Sequence, residues 1–267
     1  METEAGKSKT VKADRHFVTA LARGLEVLAC FRQGDIALGN QELSKRCGLA
    51  KSTVSRLTHT LTALGYLVYV DESAKYRLGT AALSLGSTML ARLDIRKLAH
   101  PLMQELAEFG QCMVSLGSRD RLSMICVDVA RGSAAITLSL DTGARVPIAS
   151  SAMGRAYLTA VSEDERQDAL ARVRELTDRS GWPGLEQGLA RALEDIRGLG
   201  VCRSFGDWQK DVNAIAVPVR PGGGLPPMAI SCGAPAYMVA EEFLLDTVRP
   251  RLIALRGELE SSLGTAE

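Results

Sequence analysis

Phe17, Leu21, Leu25, Leu28 and Phe31 recur at three- and four-residue spacing and stop at Gly34, the period of a helix with one apolar face on a core. Asn40 can cap a short helix over 41–47 with Leu43 inward. Gly48 and Leu49 make a tight turn, and Ser52 can cap another helix. In that helix Val54, Leu57, Leu61 and Leu64 line one side, which leaves Lys51, Ser52, Thr53, Ser55, Arg56, His59 and Thr60 off the core. Gly65 ends it. The β-prone run Tyr66 to Val70, the turn Asp71 to Ala74 and Lys75 to Leu78 predict a two-stranded hairpin. A helix-turn-helix followed by a hairpin is a winged helix-turn-helix.

Thr80 opens an apolar helical stretch over 81–93, too rich in Leu and Met for a free linker, which suits a connector that packs on a second copy. Beyond it the periodicity predicts helices near 96–109, 152–160, 163–172 and 185–198 and a final helix over 239–263. Strands are predicted near 112–117, 122–129, 135–140, 201–205, 213–219 and 227–232. Strands paired as hairpins between helices point to an antiparallel α+β domain and away from a doubly wound parallel sheet. The expected organisation is a tail over 1–13, a winged domain over 14–78, a connecting helix over 79–95 and an α+β domain over 96–267. The Pro221 to Pro227 run has no helix after it, so it is a loop between two strands and not a phosphate cradle.

Charge sharpens this picture. The 267 residues carry a net +1, yet residues 1–80 hold 12 Lys and Arg against 8 Asp and Glu, and Leu43 to Val70 contains no acid while holding Lys45, Arg46, Lys51 and Arg56. A basic, hydroxyl-rich helix face suits double-stranded DNA. No run of about 18 apolar residues and no apolar leader core exists, so the expectation is a cytoplasmic protein that does not engage a membrane. Cys30, Cys47, Cys112, Cys126, Cys202 and Cys232 show no CxxC and no His at ligand spacing, so neither a metal nor another cofactor is expected.

Four segments then carry a resemblance. They are Ala22-Arg23-Gly24-Leu25-Glu26-Val27-Leu28; Gly48-Leu49-Ala50-Lys51-Ser52-Thr53-Val54-Ser55-Arg56-Leu57; Lys75-Tyr76-Arg77-Leu78-Gly79; and Ala152-Met153-Gly154-Arg155-Ala156 with Ala214-Ile215-Ala216-Val217-Pro218-Val219. In this order they resemble the IclR-type (isocitrate-lyase-regulator) family of bacterial transcription factors from Phe17 to Leu263. The resemblance implies a winged helix-turn-helix, a connecting helix and a GAF-like effector domain whose pocket opens beside the helix starting near Ser151. It also implies operator binding as a homodimer or a dimer of dimers. Asp211, where many members have Gly, and Ser231-Cys232-Gly233-Ala234-Pro235, in place of a commoner Ser-x-Ser-Gly-Pro, depart from the pattern, so the effector does not carry over from a relative.

The DNA-contacting candidates are Lys51, Ser52, Thr53, Ser55, Arg56, His59 and Thr60, with Tyr76 and Arg77 on the wing. Lys51 and Arg56 can neutralise phosphates or read guanine edges, the hydroxyls can donate to phosphate oxygens, and His59 is either a contact or a bystander. In the effector domain Ser150 and Ser151 can cap a helix whose first turn, with Met153 and Gly154, leaves N–H groups open to an anion. Met124 and Leu138 can form apolar walls. Asn213, Ala214, Ser231, Cys232 and Gly233 can face the same cavity, and Asp207 with Trp208 either closes over it or covers the core. The expected function is transcription regulation, with repression the expected mode, controlled by a small carboxylate or aromatic acid. Two alternatives are a redox regulator working through Cys232 and a small-molecule enzyme. The enzyme reading finds only imperfect nucleophile elbows at Ala82-Leu83-Ser84-Leu85-Gly86 and Ala229-Ile230-Ser231-Cys232-Gly233, both lacking the first Gly.

Overall fold

The computed structural model describes residues 17–32, 34–91, 94–134, 136, 138–222 and 225–264. The chain divides into two compact units at residues 89 and 90. The expected tail over 1–13 lies outside the described residues.

The first unit contains α1 (Thr19–Ala29), α2 (Asn40–Cys47), α3 (Lys51–Ala63), the hairpin β1 (Leu67–Val70) and β2 (Lys75–Leu78), and most of α4 (Thr80–Ala91). Its core is Val27, Leu38, Leu43, Val54, Leu61 and Leu67. Leu38 exchanges backbone hydrogen bonds with Tyr76, at 2.8 and 2.9 Å, and so adds a bridge to the hairpin. Gly48 ends α2 in the left-handed conformation (φ 68°), the sharp reversal that presents α3. Two expected caps are corrected. Asn40 is the first residue of α2, behind Gly39, whose N–H donates to Glu42 Oε2 at 2.8 Å; Ser52 is the second residue of α3, behind Ala50. The stripe expected on the core is corrected as well. Phe17, Leu21 and Leu25 are more than half exposed in this single chain, whereas Leu28 and Phe31 pack half-buried on the core as expected, beside buried Val27. Leu64 is also exposed, and Thr58, on the core side of α3, is buried, its hydroxyl donating to the Ser55 carbonyl at 3.1 Å.

The second unit is built on one antiparallel sheet of β3 (Met113–Asp120), β4 (Ser123–Arg131), β5 (Arg145–Pro147), β6 (Cys202–Phe205), β7 (Val212–Val219) and β8 (Met228–Pro235), in the order β5-β4-β3-β8-β7-β6. α5 (Asp94–Gly110) and α9 (Arg249–Gly264) cover one face over Val114, Leu116, Ile215, Val217, Ile230 and Cys232. α6 (Ala152–Ala160) covers the other over Met124, Cys126, Ala216 and Ala229, with α7 (Glu163–Leu176) and α8 (Trp182–Gly198) packed outside it. The alternation of faces along β7 and β8 is the two-residue period of a strand. The strand expected near 135–140 is corrected: the described residues 136 and 138–140 are not in a strand, and β4 pairs instead with Arg145–Pro147. The final helix starts at Glu241 and takes a π turn at Phe243–Val248. Pro250, which has no N–H to return to Asp246, stands two residues after the end of that turn.

Candidate functional site

The first unit presents one face of α3. Lys51, Ser52, Ser55, Arg56, His59 and Thr60 are exposed and Thr53 is half-buried, because Val54, Thr58 and Leu61 take up the buried side. The Ala50 side chain cannot accept a hydrogen bond, so the first-turn N–H groups of α3 have no side-chain cap and stay open to an oxyanion. Thr60 Oγ1 donates back to the Arg56 carbonyl at 3.1 Å, so its hydroxyl is partly committed.

The cations near this face divide into two sets. Arg46 forms a two-pronged ion pair with Asp35, Nη1 to Oδ2 at 2.5 Å and Nη2 to Oδ1 at 3.0 Å, and also donates to the Cys30 carbonyl; it is a brace between α2 and the loop after α1. The Arg46 guanidinium and the Arg32 N–H hold the Asp35 carboxyl at about 2. Among the described residues, Lys45, Lys51, Arg56 and Arg77 have no carboxylate partner and are all exposed apart from that. Of the two wing candidates, Arg77 is exposed and Tyr76 is not. Tyr76 is half-buried, its ring 5.0 Å from that of Tyr69 and packed on the core, so its side chain acts as a wing support.

In the second unit a cavity of about 30 Å³ lies between α6 and the sheet. Of the residues expected there, Leu138, Ser151, Met153, Ala214, Ser231 and Gly233 line it. The others do not. Asn213 and Cys232 sit on the opposite face of the sheet, since neighbouring strand residues point apart; Asn213 Nδ2 donates to the Val239 carbonyl at 3.3 Å. Met124 is in the core under α6, and Ser150 is buried with its carbonyl accepting from Ser204 Oγ at 2.8 Å. Gly154 faces Ile148, whose carbonyl a Cβ there would strike, and Asp207 turns to Arg155. Asp211 is exposed and outside the lining; its neighbour Val212 is part of it. Ser115, Ser204 and Val146 also line it without having been singled out by the sequence, and Trp208, read there as either closing over the cavity or covering the core, is part of the wall. Their alternation on strands was visible, but which strands would be neighbours was not.

The cavity is apolar with four hydroxyls and no ionised side chain. Ser115 and Ser231 hydroxyls pair at 3.1 Å, and Ser151 Oγ donates to the Pro147 carbonyl at 2.6 Å while accepting from Gly154 N at 3.1 Å. That cap leaves the Ala152 and Met153 N–H groups at the start of α6, where no intrahelical bond can reach them. Ser151 and Ser204 already donate to the Pro147 and Ser150 carbonyls, so the donors that a carboxylate would meet are the second proton of the Ser115–Ser231 pair and these two N–H groups. Cys232 lies elsewhere, fully buried with its Sγ 2.7 Å from Cys112 Sγ. That hydrogen bond and the burial push its thiol well above the ordinary cysteine value, the character of a structural thiol and not of a reactive one.

Family models match both units: "IclR helix-turn-helix domain" over residues 20–71 and "Bacterial transcriptional regulator IclR C-terminal" over residues 87–255. The chain belongs to the IclR family of bacterial transcriptional regulators. Among IclR-family proteins, HTH-type transcriptional regulator TsaQ1/TsaQ2 of Comamonas testosteroni is 31% identical over 252 residues, 93% of this chain and 90% of that protein. The crystal structure of an IclR-family regulator from Brucella abortus is similar at 44% identity and a TM-score of 0.84, covering 93% of this chain and 94% of that one. An IclR homologue from Microbacterium hydrocarbonoxydans, crystallised with 4-hydroxybenzoate, shares the fold at 22% identity and a TM-score of 0.70, over 92% of this chain and 100% of that one. The helix-turn-helix and the effector-binding C-terminal domain of an IclR-family DNA-binding regulator are therefore both present. No helix among the described residues is long and apolar enough to cross a membrane.

Proposed function

We propose that this regulator binds a pseudo-palindromic operator through Lys51, Ser52, Ser55, Arg56 and Arg77, and that a small aromatic carboxylate entering the cavity under α6 changes that binding. The observation that carries the sensing half is the chemistry of the cavity: hydroxyls of Ser115, Ser151, Ser204 and Ser231 and the first turn of α6 inside walls of Leu138, Met153, Val146 and Trp208. A flat apolar body with one anionic end fits that set, and 4-hydroxybenzoate, bound by the Microbacterium homologue, is a molecule of this kind. A volume of about 30 Å³ has room for roughly two or three waters and not for an organic acid. An organic acid therefore enters only when the Leu138 segment or Trp208 moves, and that movement is what makes binding a signal. The protein works in the cytoplasm without catalysing a reaction.

Self-association completes the reading. One winged domain reads one half-site, and a homodimer, or a dimer of such dimers, reads a symmetric operator. The exposed apolar residues Phe17, Val18, Leu21 and Leu25 of the first helix region, with Leu83 and Leu85 of α4, give a second copy a surface to cover. The test is binding of the purified protein to the DNA upstream of its coding region against a scrambled duplex, across a salt series, with and without aromatic carboxylates. Preference for the upstream DNA that falls steeply with salt and shifts with one of the acids is expected. Equal weak binding to both duplexes with no response to any acid contradicts it.

A further inference from the structure

A larger space lies away from the cavity described above. α6 floors and α7 and α8 wall a groove of about 800 Å³, inside the range of small-molecule sites. Its body is apolar, from buried Leu158 and half-buried Leu170 and Leu189. Its polar features are unusual. Trp182 lines it, and the indole Nε1, shielded from solvent, has no hydrogen-bond partner among the described residues. An unpaired donor of this kind is costly to bury and is relieved by any acceptor that reaches it. The Arg174 guanidinium lies 5.4 Å from the centre of the same ring, and among the described residues it has no carboxylate partner. Arg166, by contrast, is already paired with Glu163.

We infer that this groove is a second small-molecule site, which takes an amphipathic monocarboxylate. The carboxylate faces Arg174, a turn of the Trp182 ring brings the shielded Nε1 to it as a second donor, and the alkyl or aryl body lies along Leu158, Leu170 and Leu189. Exposed Glu175 and Glu186 at the rim select against ligands that carry several negative charges.

The groove also has a route to the other cavity. Arg155 lines the groove with a side chain only 1% exposed, and its Nη1 donates to the Arg203 carbonyl at 2.9 Å and to Asp207 Oδ2 at 2.5 Å. Arg203 Nε in turn donates to Asp195 of α8 at 3.0 Å. Asp207 precedes Trp208, a wall of the smaller cavity. A ligand that shifts α8 or draws on Arg155 therefore alters the Asp207-Trp208 loop. Binding at the groove stands independently of the function proposed above; this coupling to the effector cavity rests on it.

The chain has two tryptophans, one in each site, which makes the test direct. Decanoate, below its micelle concentration, is titrated into the full-length Trp208→Phe protein, where emission reports Trp182, and into Trp182→Phe, where it reports Trp208. The expected result is a saturable change of Trp182 emission in Trp208→Phe with submillimolar affinity, weakened at least tenfold by an added Arg174→Glu. Arg174 is exposed, so that substitution is compatible with folding, and a thermal melt of each variant verifies it. An unchanged Trp182 signal, a signal insensitive to Arg174→Glu, or a response of Trp208 alone overturns the groove site. Titration of Trp182→Phe with 4-hydroxybenzoate separately tests the effector cavity, so either site can fail without the other.

Discussion

The buried guanidinium of Arg155 donates Nη1 to Asp207 Oδ2 at 2.5 Å, tying the middle of α6 to the loop between β6 and β7. Arg155 is one of the largest fully buried side chains of the second unit and spends its donors on this carboxylate and on the Ala149 and Arg203 carbonyls. Breaking a buried pair by removing one member costs about 3–5 kcal/mol, because the other charge is left uncompensated. Asp207 is 29% exposed, and both carbonyls remain, so the Asp207→Ala loss is expected below that range, about 1–3 kcal/mol. Urea unfolding measures it; an unchanged midpoint would show that the pair holds nothing.

Arg56→Ala is expected to weaken operator binding by at least about tenfold and to lower the slope of log affinity against log salt by about one contact. Arg46→Ala is expected to act differently: its ion pair with Asp35 braces α2, so the loss appears in the melting temperature of the first unit. Fluorescence anisotropy across a salt series, beside a thermal melt, separates a DNA contact from a brace.

Much of this architecture was visible in the chain, and the failures share a cause. The helix-turn-helix spacing, the hairpin, the α6 cap at Ser151 and the antiparallel sheet follow from local periodicity and turn chemistry, which a sequence displays directly. The role of Phe17, Leu21 and Leu25 does not, since an apolar stripe reads the same whether it meets its own core or is left for something else. Asn213 and Cys232 were grouped with Ala214, Ser231 and Gly233 by proximity along the chain, against the alternation of a strand. Ser115, Ser204 and Val146 enter the cavity only through strand order, β5-β4-β3-β8-β7-β6, which is a long-range property. Arg155 looked like part of a family segment; its burial and its partner Asp207, 52 residues away, are tertiary facts.

Native-state alkylation tests the thiol assignments. Cys47 is half-buried and is expected to be labelled first at pH 8, whereas Cys232, fully buried against Cys112, is expected to react only at the rate of unfolding. Peptide mass spectrometry over a time course reads the order. Fast labelling of Cys232 would revive a redox role for it.

Acid sensitivity of the first unit follows from Asp35. Its carboxyl, ordinarily near 3.8, is held at about 2 by Arg46 and the Arg32 N–H in the folded chain. A carboxyl depressed by folding contributes stability that is complete above its unfolded value and disappears as the pH falls through its folded one. The difference in melting temperature between wild type and Asp35→Asn is therefore expected to be constant from pH 7 to 5, to shrink below about 4 and to be lost near 2. Thermal scans at those pH values check the direction; a difference that grows on acidification would contradict the assignment.

The central claim is that the acid-binding cavity and the DNA-binding face are energetically linked, and linkage is reciprocal. Whatever an acid does to operator affinity, the operator must do to the affinity for the acid, by about 5- to 150-fold for a coupling of about 1–3 kcal/mol. The direct measurement is the dissociation constant of an aromatic carboxylate, found by screening, for the free protein and for the operator-bound protein by titration calorimetry. Two constants that differ within that range are the predicted result. Equal constants would mean that the protein binds DNA and binds an acid without one event informing the other, and the account of an effector-controlled regulator would fail.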